Sequence, residues 1–337
     1  MDIDIDALKA IVYEKDLSWE LLIGALEEAL LIAYQKSTGR IQNCRVEIDR
    51  KTGKVTVLVK DRDVEGNFLP ERDDTPAGFG RIAAATAKTV LFERLRDASD
   101  VKTVGDFVSR EGDIVSGVIQ QGMDPKLVYV NLGNVEATIP VQEQVPTEKY
   151  VHGNRIRALV LHAKRGVKGP QVTLSRTHPQ LVTKLFALEV PEVASGLVQI
   201  MAVAREPGHR TKIAVFTADP DLNPKGACIG PFGQRVRNVM SELNGEKIDI
   251  VDFDEDPAKF ISSALSPSRV TKVQVLDLAN RVARVWVPDF QLSLAIGREG
   301  QNARLAARLT GWRIDIRPDT DPSLNSEAGA SSTEVGE

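Results

Sequence analysis

The chain contains the stretch Ile229-Gly230-Pro231-Phe232-Gly233-Gln234 and a second version of it, Ile296-Gly297-Arg298-Glu299-Gly300-Gln301. Each stretch is followed by a run with helical spacing and then by the pattern Gly-x-x-Ile-Asp-Ile, which begins at Gly245 in the first case and at Gly311 in the second. One Gly-x-x-Gly marks only a turn, but a repeat that includes both flanks indicates duplication. The sequence therefore predicts two related domains, each with a glycine loop, a helix and a closing strand.

The chemistry of these loops favours nucleic acid as a ligand. Glycine carries no side chain, so a sugar-phosphate backbone can approach the main chain closely. The N–H groups at the start of the following helix carry partial positive charge that attracts phosphate. Cations flank both loops, with Arg235 and Arg237 after the first loop and Arg298 and Arg304 in and after the second. The two segments resemble KH domains, whose Gly-x-x-Gly loop holds single-stranded RNA.

The order of elements around each loop is predicted to be helix, strand, strand, helix, helix, strand, which is that of the bacterial (type II) KH form. The helix after the second loop has only Gln301, Arg304 and Arg308 as a polar stripe, and the rest of its surface is mostly apolar. A helix of this kind is buried on more than one side. We therefore expect the two KH units to pack together as one body.

Residues 108–178 are predicted to form five short strands separated by turn residues. Five strands in a segment of this length are typical of an OB barrel, and several phrases, such as 111–118 and 172–176, resemble its S1 subclass. Barrels of this type bind single-stranded RNA through aromatic and basic side chains. Tyr129 could be a stacking platform or a core residue, and His162 a platform or a plain surface residue. The phosphate-binding candidates of the barrel are Arg155, Arg157, Lys164, Arg165 and Lys168.

The N-terminal region, 1–107, is predicted to be a mixed α/β domain with a hairpin at 44–59 and a long helix at 82–97. Its aromatic residues could contact a partner, but filling a small core is the preferred interpretation for each of them: Tyr13, Trp19, Tyr34 and Phe92. Residues 319–337 are acidic and rich in Ser, Gly and Ala, which predicts a disordered tail.

Composition excludes several classes of protein. The 337 residues carry a net charge of −4, so RNA binding must depend on local placement of charge, because the whole chain is not basic. No apolar run is long enough to cross a membrane, and the acidic N-terminus lacks the features of a signal peptide. Cys44 and Cys228 fit no metal or redox spacing, and a cytoplasmic location is expected. Sequence signatures of phosphate loops, zinc proteases and serine hydrolases are absent, so neither catalysis nor a cofactor is predicted.

Taken together, the predicted fold is a multidomain α/β chain with a β-barrel, and its arrangement resembles the NusA family of transcription elongation factors. The predicted domains are 1–107, 108–178 (S1-type OB barrel), 179–255 and 256–318 (tandem KH domains), and 319–337 (disordered acidic tail). The most specific phrases include 226–230, 246–251 and 295–302.

The resemblance implies a monomeric, non-enzymatic transcription factor that modulates pausing, termination and antitermination. It implies that 1–107 bind RNA polymerase, that the S1 and KH domains bind nascent single-stranded RNA, and that other elongation factors could be partners. The RNA-binding residues it implies are Gly230, Pro231, Phe232, Gly233, Gln234, Arg235, Arg237, Gly297, Arg298, Glu299, Gly300, Gln301, Asn302 and Arg304. Pro231 and Phe232 bring no charge, so the first loop is expected to hold phosphate less firmly than the second.

Two alternatives stay open at this point. One is an RNA-processing or RNA-degrading enzyme, or an accessory of one, because S1 and KH modules also accompany ribonuclease cores. The other is a ribosome-associated protein, which type II KH domains also permit.

Overall fold

The structure is a computed structural model that describes residues 3–14, 18–40, 42–63, 67–166 and 169–321. By contact density the chain divides into two compact units, Met1–Asp106 with Arg165–Pro170, and Phe107–Lys164 with Gln171–Glu337. Residues 322–337 of the predicted tail and Lys168 of the predicted barrel surface lie outside the described residues.

The first unit is an α+β domain built on a three-stranded antiparallel sheet in the order β1-β2-β3. Leu26, Leu30 and Tyr34 of the second helix are fully buried because they share one helical face, and they pack in the core with Val57 and Val59. The elements are α1 (Ile5–Glu14), α2 (Trp19–Thr38), β1 (Cys44–Ile48), β2 (Val55–Val59), β3 (Arg72–Asp73) and α3 (Phe79–Val108).

Two predictions for this unit need correction. The third helix runs over Phe79–Val108, well beyond the predicted 82–97, and its last two residues belong to the second unit, in which Phe107 is buried in the barrel core. Core burial of this kind outweighs the low helix propensity of the intervening Thr, Val and Gly residues. The core interpretation is right for Tyr34 and for the partly buried Trp19, but wrong for Tyr13 and Phe92, which are largely exposed.

The second unit begins with a closed barrel of five strands in the order β4-β5-β6-β8-β7, which confirms the predicted OB-type fold. Alternate residues such as Val115, Val130 and Val160 fill its interior. The strands are β4 (Ile114–Gln120), β5 (Val128–Asn131), β6 (Glu136–Ile139), β7 (Arg155–Gly166) and β8 (Gly169–Ser175).

Two similar α/β domains follow the barrel. In each, the middle strand of a three-stranded sheet pairs antiparallel with the strand before it and parallel with the strand after it. The first comprises α4 (Pro179–Glu189), α5 (Pro191–Ala194), β9 (Gln199–Glu206), β10 (Arg210–Phe216), α6 (Pro224–Ile229), α7 (Gln234–Glu242) and β11 (Lys247–Asp252). The second comprises α8 (Pro257–Ala264), β12 (Lys272–Asp277), β13 (Val282–Val287), α9 (Leu292–Ile296), α10 (Gln301–Thr310) and β14 (Arg313–Pro318).

One hydrophobic core cluster extends across the two α/β domains, and the first domain has a further core of its own. Ala204 and Ala214 of the first sheet pack in the same cluster as Leu305 and Leu309 of α10, so this helix is buried on two sides, as predicted. The fully buried Lys212 of β10 reaches across and donates a 2.7 Å hydrogen bond from Nζ to the carbonyl oxygen of Ser266. Burial lowers the pKa of Lys212, while Asp249 at 3.2 Å from Nζ favours the charged form.

Candidate nucleic-acid interface

The two glycine loops have the same backbone conformation. The first glycines, Gly230 and Gly297, have φ/ψ of 71°/175° and 76°/172°. The second glycines, Gly233 and Gly300, are left-handed at 73°/18° and 74°/12°. Duplication in the sequence has therefore preserved the shape of the turn and not only its glycine spacing.

The first glycine of each loop is required by geometry. The φ/ψ values of Gly230 and Gly297 belong to a region that only glycine adopts without strain. A Cβ at Gly297 would lie 2.8 Å from the backbone nitrogen of Asn302, and one at Gly230 would lie 2.6 Å from Cγ of Arg235. The helix that follows therefore packs directly against a bare main chain.

The second glycine of each loop leaves the start of the next helix open. Gly233 and Gly300 occupy the N-cap positions of α7 and α10, and neither helix has a side-chain cap. Free N–H groups at a helix start can donate hydrogen bonds to a phosphate in place of a capping side chain. A Cβ at Gly300 would meet no atom within 4 Å, so the space beside this glycine is open.

Arg235 and Asn302 occupy equivalent positions in the repeat, and both face inward. Arg235 donates from Nη1 to the carbonyl oxygen of Ala227 (2.7 Å) and to Oε2 of Glu192 (2.8 Å). Asn302 is 2% exposed and donates from Nδ2 to the carbonyl oxygens of Ala295 (3.0 Å) and Leu265 (3.1 Å). We propose that both residues hold the loops in shape, because Nη1 of Arg235 and Nδ2 of Asn302 donate within the protein. Oδ1 of Asn302 is buried and has no hydrogen-bond partner among the described residues.

The residues between the glycines are the most exposed part of each loop. Phe232 is 97% exposed in the first loop. In the second loop the side chains of Arg298 and Glu299 are 93% and 82% exposed, with only a loose 3.7 Å contact between them. Phe232 and Glu299 are equivalent positions, and both have positive φ near 50°. One loop thus presents an apolar ring and the other presents charge.

The first polar residues of the two helices differ in their partners. In α10, Gln301 donates to Glu206 at 2.9 Å and Arg304 donates from Nε to the same carboxylate at 2.6 Å. The hydrogen bond from Arg304 lowers the pKa of Glu206, whose side chain is only 18% exposed. In α7, Gln234 bonds Asn238, and the exposed Arg237 makes one long hydrogen bond (3.5 Å) to Gln234.

A groove of about 600 Å³ lies between the β9–β10 turn of the first KH domain and the loop of the second. Its lining includes Glu206, His209, Arg210, Lys247, Arg298 and Arg304. The charged residues of the lining are four cations and two carboxylates, Glu206 and Glu299, so the groove carries an excess of positive charge and favours an anionic chain over a neutral one. Sequence analysis missed Glu206, Arg210 and Lys247, because the only local signal was a turn at 206–209 that lies far from the glycine loop in the chain.

The barrel surface offers less support for RNA stacking. A Cβ at Gly122 would lie 1.8 Å from the ring of Tyr129, so backbone covers one face of that partly buried ring. His162 is exposed, as are Arg155 and Lys164. Arg157 forms a 3.4 Å ion pair with Glu242 of α7, and Arg165 is paired with Asp97 at 2.5 Å.

Other site chemistries have little support in the part of the chain that the structure describes. Within it, no three His, Cys, Asp or Glu side chains are grouped so that they could hold a metal ion. Burial raises the pKa of the Cys228 thiol to about 11, which disfavours its reactive thiolate form. No helix among the described residues combines the length and apolar character of a membrane span.

An OB-type barrel followed by two fused type II KH domains with matching glycine loops defines a class of multidomain single-strand RNA-binding proteins. Comparison with known proteins agrees with this class. The profile of the NusA N-terminal domain matches residues 5–77, that of the NusA-like first KH domain matches 176–253, and that of the NusA-like second KH domain matches 257–323.

Curated relatives match nearly the whole chain. The transcription termination/antitermination protein NusA of Mycobacterium tuberculosis is 58% identical over 329 residues, covering 96% of this chain and 95% of that protein. The protein of the same name from Bacillus subtilis is 44% identical over 340 residues, covering 94% and 91%. The solution structure of the N-terminal domain of NusA from B. subtilis is 34% identical, covering 28% of this chain and 94% of that domain, with a TM-score of 0.25. The chain belongs to the NusA family.

Proposed function

We propose that this protein is a transcription factor that binds nascent single-stranded RNA through its KH domains and thereby modulates pausing, termination and antitermination. Membership of a family whose members are named transcription termination/antitermination proteins supports the transcriptional role. The single observation that carries RNA binding is the pair of glycine loops with one shared backbone shape, each opening an uncapped helix.

The proposed RNA path includes both loops and the groove between the KH domains. Backbone groups of the four glycines lie against the ribose-phosphate chain, and the exposed Arg237 and Arg298 are the proposed phosphate contacts. Arg304 reaches the groove while paired to Glu206, so its contribution requires RNA to compete with that carboxylate. Because the two KH domains share a core, RNA meets one continuous surface without having to order two separate domains.

Residues 1–107 are proposed to bind RNA polymerase, with the protein acting as a monomer in the cytoplasm. The match of 5–77 to the NusA N-terminal domain and the names of the relatives support this assignment. Exposed apolar side chains in this region, such as Leu21, Phe68 and Phe92, offer contact area for a protein partner. The same family membership supports a non-enzymatic role over the two alternatives, an RNA-processing enzyme and a ribosome-associated protein.

The experiment that tests RNA binding changes the charge of the loops. We expect Arg298→Asp with Glu299→Asp to weaken binding of an unstructured RNA oligonucleotide, because carboxylates at the tip repel phosphate. Pro231→Asp with Phe232→Asp is expected to weaken binding as well, and the four changes together are expected to have the largest effect. Fluorescence anisotropy at several salt concentrations gives the affinities, and the salt slope is expected to fall by about 0.7 for each phosphate that a variant no longer neutralises.

A matched control makes the same change in charge elsewhere. Arg50→Asp, in the exposed hairpin turn of the first unit, alters the net charge as much as either loop variant does. It is expected to leave RNA affinity unchanged. Equal affinity of the four-residue variant and the unchanged protein would show that the loops do not bind RNA. In a separate pull-down from a lysate, capture of ribosomes in place of RNA polymerase would contradict the transcriptional role.

A further inference from the structure

The first glycine loop carries an apolar tip that phosphate binding does not explain. Phe232 is 97% exposed, and its neighbours Ile229 (39%) and Pro231 are exposed too. Within the described residues, Phe232 makes no aromatic or cation–π contact of the kinds that other aromatic side chains of this protein make. Burying an aromatic ring of this size is favourable, and the fold of the protein leaves nearly all of that surface in water.

The backbone makes the position of this ring more unusual. Phe232 has φ/ψ of 52°/21°, a left-handed conformation that is strained for an aromatic residue. The equivalent residue of the second loop, Glu299, has nearly the same values of 53°/27°. The turn therefore fixes the backbone in both copies, while the side chain at this position differs completely in chemistry.

The surroundings of Phe232 combine this ring with a cation. A Cβ at Gly233 would lie 3.1 Å from Nη1 of Arg237, so the guanidinium stands directly over the loop. Among the described residues no carboxylate pairs with Arg237, whereas its equivalent in the second copy, Arg304, is paired with Glu206. The first loop thus presents an exposed ring and an unneutralised cation, and aromatic rings combined with cations are what proteins use to hold unpaired bases and their phosphates.

We infer that the two loops divide the work of RNA recognition, with Phe232 stacking on an unpaired nucleobase while Arg237 contacts its phosphate, and with the second loop holding the backbone through Arg298. This inference rests on the proposed RNA binding and makes it more specific. The lower charge of the first loop is then the mark of a base contact, and not of a weaker copy of the second loop. Glu299 cannot take the same part, because a carboxylate offers no surface on which a base can stack.

The test compares Phe232→Ala with Phe232→Tyr, which keeps a ring. Binding of a labelled, unstructured single-stranded RNA of about 15 nucleotides is measured by anisotropy over a range of salt concentrations. Phe232→Ala is expected to weaken binding roughly five- to 150-fold, which corresponds to the stacking of one base. The slope of log K against log salt is expected to stay unchanged, because the ring of Phe232 neutralises no phosphate. Phe232→Tyr is expected to bind as the unchanged protein does.

Two further measurements separate stacking from other effects. Phe290→Ala removes an aromatic side chain that is 84% exposed outside both loops, and it is expected to leave affinity unchanged. Phe232→Trp places a fluorophore in the loop, and RNA is expected to quench it, whereas an oligomer of abasic ribose phosphates is not. Of the three native tryptophans, Trp286 and Trp312 are buried and Trp19 is partly buried in the first unit. Their fluorescence is therefore expected to change little when RNA binds the loops, and the unchanged protein serves as the reference.

The outcomes are distinguishable. If the unchanged protein binds no RNA, the proposed function itself fails. If it binds RNA but Phe232→Ala binds equally well, or if Phe290→Ala weakens binding as much, the inference is overturned and the proposed function stands. A fall in salt slope in Phe232→Ala, or equal quenching by the abasic oligomer, would also overturn it, because both would indicate a backbone contact.

Discussion

At the scale of single residues, Arg235 and Asn302 have the same function in the two repeats although their chemistry differs. Each follows the Gly-x-x-Gly-Gln stretch directly, and each donates hydrogen bonds to carbonyl oxygens of the short helix before the loop. These carbonyls have no partner within their own helix, because a helix end leaves its last C=O groups free. The side chain therefore ties the helix before the loop to the helix after it.

Replacing Asn302 by Ala is expected to destabilise the second unit by about 1–3 kcal/mol, because buried carbonyl oxygens lose their donor. The measurement is urea unfolding followed by circular dichroism. Arg298→Ala, at an exposed position four residues earlier, is the control and is expected to change stability by at most about 0.5 kcal/mol. Equal stability of the two variants would show that the hydrogen bonds of Asn302 contribute nothing net.

The two glycines of the second loop are expected to differ in their tolerance of alanine. Gly300→Ala is expected to cost about 1 kcal/mol, since the left-handed conformation is strained but the space is open. Gly297→Ala is expected to cost more, because strain in a glycine-only region adds to a 2.8 Å contact with the backbone of Asn302. Thermal unfolding of both variants checks the order, and a larger destabilisation by Gly300→Ala would contradict this account.

At the scale of elements, Glu206 at the end of β9 joins the two KH domains through α10. Its carboxylate accepts hydrogen bonds from Gln301 and Arg304, and Arg308 lies 3.8 Å away. An exposed ion pair contributes little to stability because water and salt screen it. The carboxylate of Glu206 is mostly buried and accepts from several donors, so its ion pair is screened less. The sheet of the first domain and the helix of the second are therefore linked by charge as well as by their common core.

The link through Glu206 predicts a pH dependence of stability. The hydrogen bond from Arg304 holds the pKa of Glu206 below its ordinary value of 4.5. A carboxylate with a lowered pKa contributes stability that is present above its unfolded pKa and is lost as pH falls through its folded pKa. We expect the stability advantage over Glu206→Gln to shrink between about pH 6 and about pH 3, by urea unfolding at each pH. Glu136→Gln, at an exposed carboxylate of β6, should leave the pH profile unchanged.

At the scale of the whole molecule, Arg176 connects the barrel to the first KH domain within the second unit. Its guanidinium is 2% exposed and donates to Oε2 of Glu148 (2.9 Å) and to the carbonyl oxygens of Arg157 (2.8 Å) and Glu242 (2.9 Å). Glu148 and Arg157 belong to the barrel and Glu242 belongs to the first KH domain, so this buried cation bonds to both domains. Burial acts to lower the pKa of Arg176, but the hydrogen bond to Glu148 together with the negative charges of Glu148 and Glu242 outweighs burial, and the pKa is raised.

Replacing Arg176 by Met is expected to destabilise the second unit by about 3–5 kcal/mol, because Glu148 is left as an uncompensated buried charge. The double replacement Arg176→Met with Glu148→Gln removes that charge and is expected to recover part of the stability. Thermal unfolding of the two variants gives the comparison. A double variant less stable than the single one would mean that the ion pair is not the source of the effect.

The sequence alone determined the kinds of domain in this protein. Repeated glycine loops, apolar periodicity and turn residues are local signals, and local signals predict the KH and barrel folds and the exposed loop residues such as Arg298 and Phe232. Local signals cannot show which polar side chains form hydrogen bonds or ion pairs with residues distant in sequence. Asn302 and Arg304 are equally polar in sequence, yet one is buried against Leu265 and the other is paired with Glu206.

Contacts across the fold determine which residues of the repeat remain free for a ligand. The shared KH core, the groove that brings Arg210 and Lys247 to the second loop, and the buried Arg176 all depend on contacts between residues distant in sequence. The length of α3 also depends on such contacts. Burial of Phe107 in the barrel core favours extension of this helix through residues whose local helix propensity is low. Packing and charge pairing are properties of proximity in space, and spacing along a single chain does not encode them directly.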